Sequence, residues 1–120
     1  MILYHQTDEA TATIILSTKQ MKPGSGGLAG GGIYFATDPG LTGHKAHRRG
    51  VILECKVVVG KFKTLSRSAG DRNMNLAKLR REGYDSVRID QAIDRIGSGQ
   101  EYVVYEPSRV IDIQRYMQIL

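Results

Sequence analysis

Glu101 is a carboxylate at the start of a strand-like run. It follows the polar segment GSGQ (97–100) and precedes the apolar run YVVY (102–105). A carboxylate at the mouth of a strand can face both solvent and substrate, where it could stabilise positive charge or accept a proton. The same position equally suits a solvated charge at the rim of a sheet. Taken alone, Glu101 is more simply interpreted as such a rim charge.

Glycines are concentrated in residues 23–32, PGSGGLAGGG, where they fill six of ten positions directly before the strand-like Ile33–Ala36. A dinucleotide fingerprint places its glycines between a strand and a long helix, and a Walker-type phosphate loop ends in Gly-Lys-Ser/Thr. This segment has neither pattern. It is interpreted as a mobile surface loop, or as a segment whose missing Cβ atoms let a ligand lie against the backbone beside Tyr34.

The histidines and the single cysteine carry no metal or nucleophile signature. His44 and His47 are three residues apart without an acidic third ligand, and they are interpreted as exposed residues of a basic face. His5 ends an apolar run, where a histidine commonly has a structural role. Cys55 lies within VILECKVVV (51–59), which predicts a buried thiol, and the chain has no GxSxG nucleophile elbow.

The periodicity of apolar residues predicts the elements that position these side chains. Strands are expected at 1–5, 33–36, 51–59, 84–89, 101–105 and 110–113. Helices are expected from Thr7 or Asp8 to about Gln20, from a Thr42 cap to His47, and from Asp71 to Glu82 with Gly83 as C-terminal cap. The apolar run 51–59 predicts a central strand covered on both faces. Without regular β-α-β alternation, the fold class is α+β on mixed or antiparallel sheets.

Whole-chain totals set broader limits. The 120 residues, 41% hydrophobic, suit one domain spanning 1–120, expected to be monomeric. The net charge of +5 favours acidic partners such as nucleotides, nucleic acids or acidic protein surfaces, but the only tight basic groups are 45–49 and 78–81, so nucleic-acid binding is weakly indicated. A lone cysteine excludes an intrachain disulfide, and no apolar run is long enough for a membrane helix. A reducing cytoplasmic or nuclear setting is expected.

Four short motifs follow one another along the chain: Leu3–Thr7 (LYHQT), Gly32–Ala36 (GIYFA), Gly50–Leu53 (GVIL) and Glu101–Tyr105 (EYVVY). In this order they resemble the catalytic domain of the poly(ADP-ribose) polymerase-like, or diphtheria-toxin-like, ADP-ribosyltransferases. The resemblance runs from about Leu3 to Ile113. It implies an ADP-ribosyltransferase-like fold, in which mixed or antiparallel sheets form a split β core with a few flanking helices. It also implies NAD as co-substrate and no metal.

The resemblance assigns the family's histidine, strand tyrosine and late glutamate to His5, Tyr34 and Glu101. His5 is then expected to bind the ribose 2′-hydroxyl on the adenosine side of NAD, and Tyr34 to stack on the nicotinamide ring. Glu101 is expected to bind the 2′-hydroxyl of the nicotinamide ribose. A carboxylate there suits the chemistry, because breaking the C1′–nicotinamide bond builds positive charge on the ribose.

Further NAD contacts follow from the same resemblance. The backbone of Gln6 is expected to hold the nicotinamide amide, with Thr7 completing the contact of the first strand. Thr42 matches a small hydroxyl residue that also bonds the carboxamide. Gly32 ends the loop that is expected to pass over NAD.

The chain departs from the family pattern at two positions. Gln6 stands where the family usually has glycine, so its side chain is expected to lie near the amide and narrow the pocket. A second stacking tyrosine is replaced by Lys45, and the neighbouring His44 is its expected substitute.

The expected activity is transfer of one ADP-ribose unit from NAD to a protein, because the segment between 84–87 and Glu101 is short for the acceptor surface of a polymerase. NAD hydrolysis and a catalytically silent NAD- or ADP-ribose-binding module are alternatives. A nucleic-acid acceptor, or a tRNA 2′-phosphotransferase-like activity using Arg48 and Arg49, is a lesser one. The start at a strand suggests a minimal or excised domain.

Overall fold

The computed structural model of the protein describes residues 1–44, 50–90 and 100–117, with only the backbone of His44. The predictions for Lys45, His47, Arg48 and Arg49, and for most of the segment before Glu101, lie outside these residues. The proposed stacking role of the His44 side chain lies outside them as well.

Seven strands of the described residues form one mixed sheet. They are β1 (Ile2–Thr7), β2 (Ile33–Ala36), β3 (Val51–Val57), β4 (Phe62–Ser66), β5 (Ser86–Asp90), β6 (Glu101–Val104) and β7 (Val110–Arg115). Their order in the sheet is β4-β5-β6-β2-β1-β3-β7. The β4–β5 pair is parallel and the other neighbours are antiparallel. The predicted α+β class with a mixed sheet is confirmed.

Helix α1 (Glu9–Thr18) begins and ends as the sequence predicts. The Asp8 side chain caps it by accepting a hydrogen bond from the Thr11 N–H at 2.7 Å. The helix stops at Lys19, which adopts a left-handed conformation with φ 58° and donates its N–H to the Ile15 carbonyl at 2.7 Å. α1 connects β1 to the glycine-rich segment.

Helix α2 (Leu76–Arg81) is shorter than the predicted 71–82. Its N-cap is Asn75, whose side chain accepts a backbone N–H of the first turn at 2.8 Å. The preceding residues form a turn in which the Asp71 carboxylate accepts the Asn73 N–H at 3.0 Å, because short polar side chains compete with helical hydrogen bonding. The predicted stop at Gly83 is confirmed, with φ 87° at that residue.

The predicted helix from Thr42 begins earlier and is a 3₁₀ helix, Pro39–His44. Asp38 precedes it and its carboxylate accepts the Gly40 N–H at 2.8 Å. Proline suits the first position because its φ is already helical and it lacks the unsatisfied N–H. The prediction of Thr42 as the cap is therefore wrong, since Thr42 lies inside the helix.

Two strand predictions also need correction. β3 alternates between buried and half-buried or exposed residues, with Val51, Leu53 and Cys55 buried and Lys56 exposed, so only one face is fully covered. It lies next to the edge strand β7 instead of at the sheet centre.

β4 is absent from the predicted elements because its sequence FKTLS mixes polar and apolar residues without clean alternation. Such a pattern is tolerated because β4 is a partly exposed edge strand.

Two hydrophobic clusters cover the two faces of the sheet. The first contains core residues of α1, β1, β3 and β7, and the second contains α2 and β5 residues. Neighbouring residues of β6 go to different clusters: Tyr102 and Val104 to the first, Val103 to the second. Since successive side chains of a strand point to opposite faces, the clusters lie on opposite sides. Along the described chain, no helix has the length and apolarity needed to cross a membrane.

Candidate functional site

A cleft of about 910 Å³ lies beside strands β1 and β2. Its walls include α1 and the glycine-rich segment, and its volume is in the usual range for small-ligand sites. Apart from His44, the residues that line the cleft include every described residue that the sequence assigned to the site. These residues are His5, Gln6, Thr7, Gly32, Tyr34, Thr42 and Glu101.

His5 is fixed by a hydrogen bond from its ring to β2. Its Nδ1 atom lies 2.8 Å from the Tyr34 carbonyl oxygen. A carbonyl oxygen only accepts, so Nδ1 carries the proton and Nε2 of the neutral ring is an acceptor. Burial lowers the pKa of His5, and the bond to the Tyr34 carbonyl partly opposes that effect. Burial therefore favours the neutral ring, in which Nε2 is an acceptor.

Tyr34 is held at both ends. Its backbone belongs to β2, and its hydroxyl accepts from the Ala29 N–H at 2.9 Å and donates to the Gly30 carbonyl at 2.6 Å. Burial raises the pKa of the hydroxyl, and the nearby Glu101 charge acts in the same direction. Gly27 lies directly against this hydroxyl, since a Cβ there would be 2.5 Å from the oxygen. The aromatic ring thus has a fixed position in the cleft.

The second half of the glycine-rich segment packs tightly against the rest of the protein. A Cβ on Gly30 would lie 2.1 Å from the Met74 carbonyl oxygen, and one on Gly32 would lie 2.6 Å from Val103 Cγ1. The missing side chains of these two glycines therefore serve packing. Gly26 differs, because it lines the cleft and a Cβ there would meet nothing within 4 Å. Open space for a ligand beside the backbone lies at Gly26.

Glu101 is buried, with 5% of its surface exposed. Its Oε2 accepts a hydrogen bond from Arg67 Nη2 at 2.8 Å. The interpretation of Glu101 as a solvated rim charge is therefore wrong. A buried carboxylate needs ionic or hydrogen-bonding partners, and Arg67 is one of them.

Gln6 and Thr42 are joined side chain to side chain. Gln6 Nε2 donates to the Thr42 hydroxyl oxygen at 3.1 Å, and that hydroxyl donates to the Pro39 carbonyl at 2.7 Å. The hydroxyl proton is thus engaged, and the remaining capacity of the oxygen is to accept one more hydrogen bond. Thr42 can accept an N–H of a ligand amide in this arrangement. Thr7, at the end of β1, is buried.

Arg67 is a charged cleft residue that the sequence interpretation missed. It follows β4 in the segment SRSAG (66–70), whose composition indicates only a turn. The approach of Arg67 to Glu101 depends on β4 pairing with β5, and β4 gives no clear strand signal.

Among the described residues, no group of three or more His, Cys, Asp or Glu side chains could hold a metal ion.

Comparison with protein-family models and with curated proteins gives no match for this chain.

Proposed function

We propose that the protein is an NAD-dependent mono-ADP-ribosyltransferase that cleaves the nicotinamide–ribose bond and transfers ADP-ribose to a protein acceptor. The observation that carries this proposal is that His5, Tyr34 and Glu101 all line one cleft. These residues come from three separate strands, β1, β2 and β6. An ADP-ribosyltransferase-like fold with a split β core is part of the same proposal.

Glu101 supplies the charge that the proposed reaction needs. When the C1′–nicotinamide bond breaks, its electron pair leaves with the nicotinamide nitrogen and the positive charge moves onto the ribose. A carboxylate beside C1′ stabilises that oxocarbenium-like state, and more strongly in a water-poor cleft than in bulk water. In this proposal the acceptor nucleophile then bonds to C1′ and gives up its proton to Glu101.

The other cleft residues suit the parts of NAD. The Nε2 acceptor of His5 fits a donating ribose hydroxyl, and the Thr42 oxygen fits an N–H of the carboxamide. The fixed ring of Tyr34 offers a face to the electron-poor pyridinium, an attraction of about 1 kcal/mol or somewhat more when desolvated. Because the Tyr34 hydroxyl is already bonded, this residue acts through its ring.

The test uses NAD labelled in its adenylate phosphate, incubated with the protein and a cell lysate. Wild type is compared with Glu101→Gln and with Glu82→Gln, which removes an exposed carboxylate paired with Lys63. We expect label on protein for wild type and Glu82→Gln, and none for Glu101→Gln.

Two other outcomes would replace the proposal. Free ADP-ribose accumulating at one rate, whatever macromolecule is supplied, would identify an NAD glycohydrolase. NAD binding in a calorimeter without release of nicotinamide over hours would identify a silent binding module.

A further inference from the structure

We infer that Arg67 is a positioning residue for the proposed reaction, which holds the Glu101 carboxylate in place. This inference rests on the proposed function and adds a residue to its site. Arg67 acts through Glu101, and the observations behind it are the ion pair, the burial of the two partners and the construction of the turn that carries Arg67.

The ion pair joins a buried partner to a half-buried one. The side chain of Glu101 is 7% exposed and that of Arg67 is 32% exposed, with Nη2 and Oε2 2.8 Å apart. A carboxylate removed from water to this extent is costly unless a cation or donors compensate it. The guanidinium holds its donors in one rigid plane, so the hydrogen bond from Nη2 to Oε2 restricts the orientation of the carboxylate. Arg67 can therefore set the direction of the Glu101 carboxylate.

The turn that carries Arg67 is closed by its own hydrogen bonds. The Gly70 N–H donates to the Ser66 carbonyl at 2.8 Å, and the Ala69 N–H donates to the Ser66 hydroxyl at 3.2 Å. Gly70 has φ 55°, a conformation that favours glycine. Ser66 itself pairs with Asp90 on β5. The backbone that presents Arg67 is thus fixed on both sides of the residue.

The same turn is docked on the glycine-rich segment. The Asp71 N–H donates to the Leu28 carbonyl at 2.6 Å, and a Cβ on Gly70 would lie 2.8 Å from that oxygen. The next residue, Ala29, donates its N–H to the Tyr34 hydroxyl. One packed unit therefore fixes both the Tyr34 ring and the cation that holds Glu101. This is the arrangement expected of a preorganised site.

The first test compares Arg67→Gln and Arg67→Lys with Arg80→Gln. Arg80 is the matched control because it pairs with Asp85 and Glu106, away from the cleft. We measure kcat and KM for nicotinamide release, and Kd for NAD by calorimetry. Arg67→Gln is expected to lower kcat at least about tenfold and to change Kd less than about threefold, because the interaction it supports matters mainly in the transition state. Arg67→Lys should recover part of kcat, since it keeps the positive charge and loses the rigid planar guanidinium.

The second test asks whether Arg67 acts through Glu101. In a Glu101→Gln background, adding Arg67→Gln should cause no further loss of kcat. Losses that multiply, or an Arg67→Gln effect no larger than that of Arg80→Gln, would overturn the inference while leaving the proposed function standing.

If wild type releases no nicotinamide, the proposed function fails, and urea unfolding is then compared for wild type, Arg67→Gln, Glu101→Gln and the double variant. Non-additive shifts of the unfolding midpoint would show that Arg67 holds Glu101. Additive shifts would overturn the inference that Arg67 holds Glu101.

Discussion

His5 and Tyr34 are joined by a hydrogen bond that determines what each can contribute. The bond uses Nδ1 of His5 and the backbone carbonyl of Tyr34, so it leaves the His5 Nε2 atom and the Tyr34 ring unused, and both residues line the cleft. The Tyr34 hydroxyl is bonded to Ala29 and Gly30, which suits a residue that acts through its ring. The hydrogen bonds of these two residues are compatible with the NAD contacts proposed for them.

His5 should be the Nδ1–H tautomer at pH 7 and should titrate below its ordinary value of 6.5, because burial lowers its pKa. Nitrogen-15 NMR of the imidazole ring measures both properties. An Nε2–H tautomer, or titration above pH 6.5, would contradict the hydrogen bond and the burial.

The same pKa shift makes folding stability depend on pH. Between the lowered pKa of the folded protein and 6.5, the unfolded chain binds more protons at His5, so stability falls as pH falls through that window and is fully present above it. His5→Asn keeps a donor for the Tyr34 carbonyl and cannot titrate. The unfolding midpoint of wild type should therefore drop more than that of His5→Asn on going from pH 7 to pH 5.

The glycine-rich segment combines a packed part with an open part. Gly30 and Gly32 press against the backbone of Met74 and the side chain of Val103, whereas Gly26 faces open space in the cleft. Substituting glycines at the two kinds of position separates their roles in packing and in ligand binding.

Gly26→Ala should leave the unfolding midpoint unchanged or slightly higher, because a Cβ there meets nothing and alanine restricts the unfolded chain. It should weaken NAD binding by about fivefold or more, as estimated from the cost of crowding a close backbone contact. Gly30→Ala should instead destabilise the fold by roughly 2 kcal/mol or more, because it adds a backbone clash to a φ of 72°.

The control for these variants is Gly83→Ala, where φ is 87° and a Cβ meets nothing within 4 Å. It carries the conformational cost without the clash, so it should destabilise less than Gly30→Ala. Thermal unfolding and calorimetric titration with NAD provide the measurements. Unchanged NAD affinity in Gly26→Ala would show that the ligand does not lie against this part of the backbone.

The elements around the site differ in how well the sequence predicts them. β1, β2 and β6 have compact apolar runs, and Asp8 and Gly83 are strong local signals for helix ends, so these features were predictable. β4 was not, because an exposed edge strand such as FKTLS does not need a continuous apolar pattern. Arg67 was missed for the same reason, since its place in the site depends on β4.

At the scale of the whole molecule, one sheet separates two hydrophobic clusters and places the cleft beside β1 and β2. Residues from three strands reach the cleft only when the whole sheet is assembled: His5 from β1, Tyr34 from β2 and Glu101 from β6. The order of the motifs in the sequence predicts these three as site residues. The burial of Glu101 and its pairing with Arg67 depend on the tertiary structure, so the sequence did not predict them. Ligand binding in the cleft should therefore stabilise the fold as a unit.

Cys55 provides a probe of that global stability. It lies in β3 between β1 and β7 with 0% exposure, and burial raises its thiol pKa to about 12, with Asp112 and Glu54 adding to the effect. A thiol reagent at pH 8 should react with it only through unfolding. NAD at ten times its Kd should slow the reaction about tenfold, because the ligand binds only the folded state. Rapid labelling of the native protein, or a rate indifferent to NAD, would contradict this prediction.

The central claim is that Glu101 promotes cleavage of the nicotinamide–ribose bond, and its most direct test is nicotinamide release from NAD by the purified protein. Wild type, Glu101→Gln and Glu82→Gln are compared by chromatography at equal concentrations of folded protein. We expect steady release by wild type and Glu82→Gln, and release at least about a hundredfold slower by Glu101→Gln. No release by wild type, or the same rate in Glu101→Gln, would contradict the account.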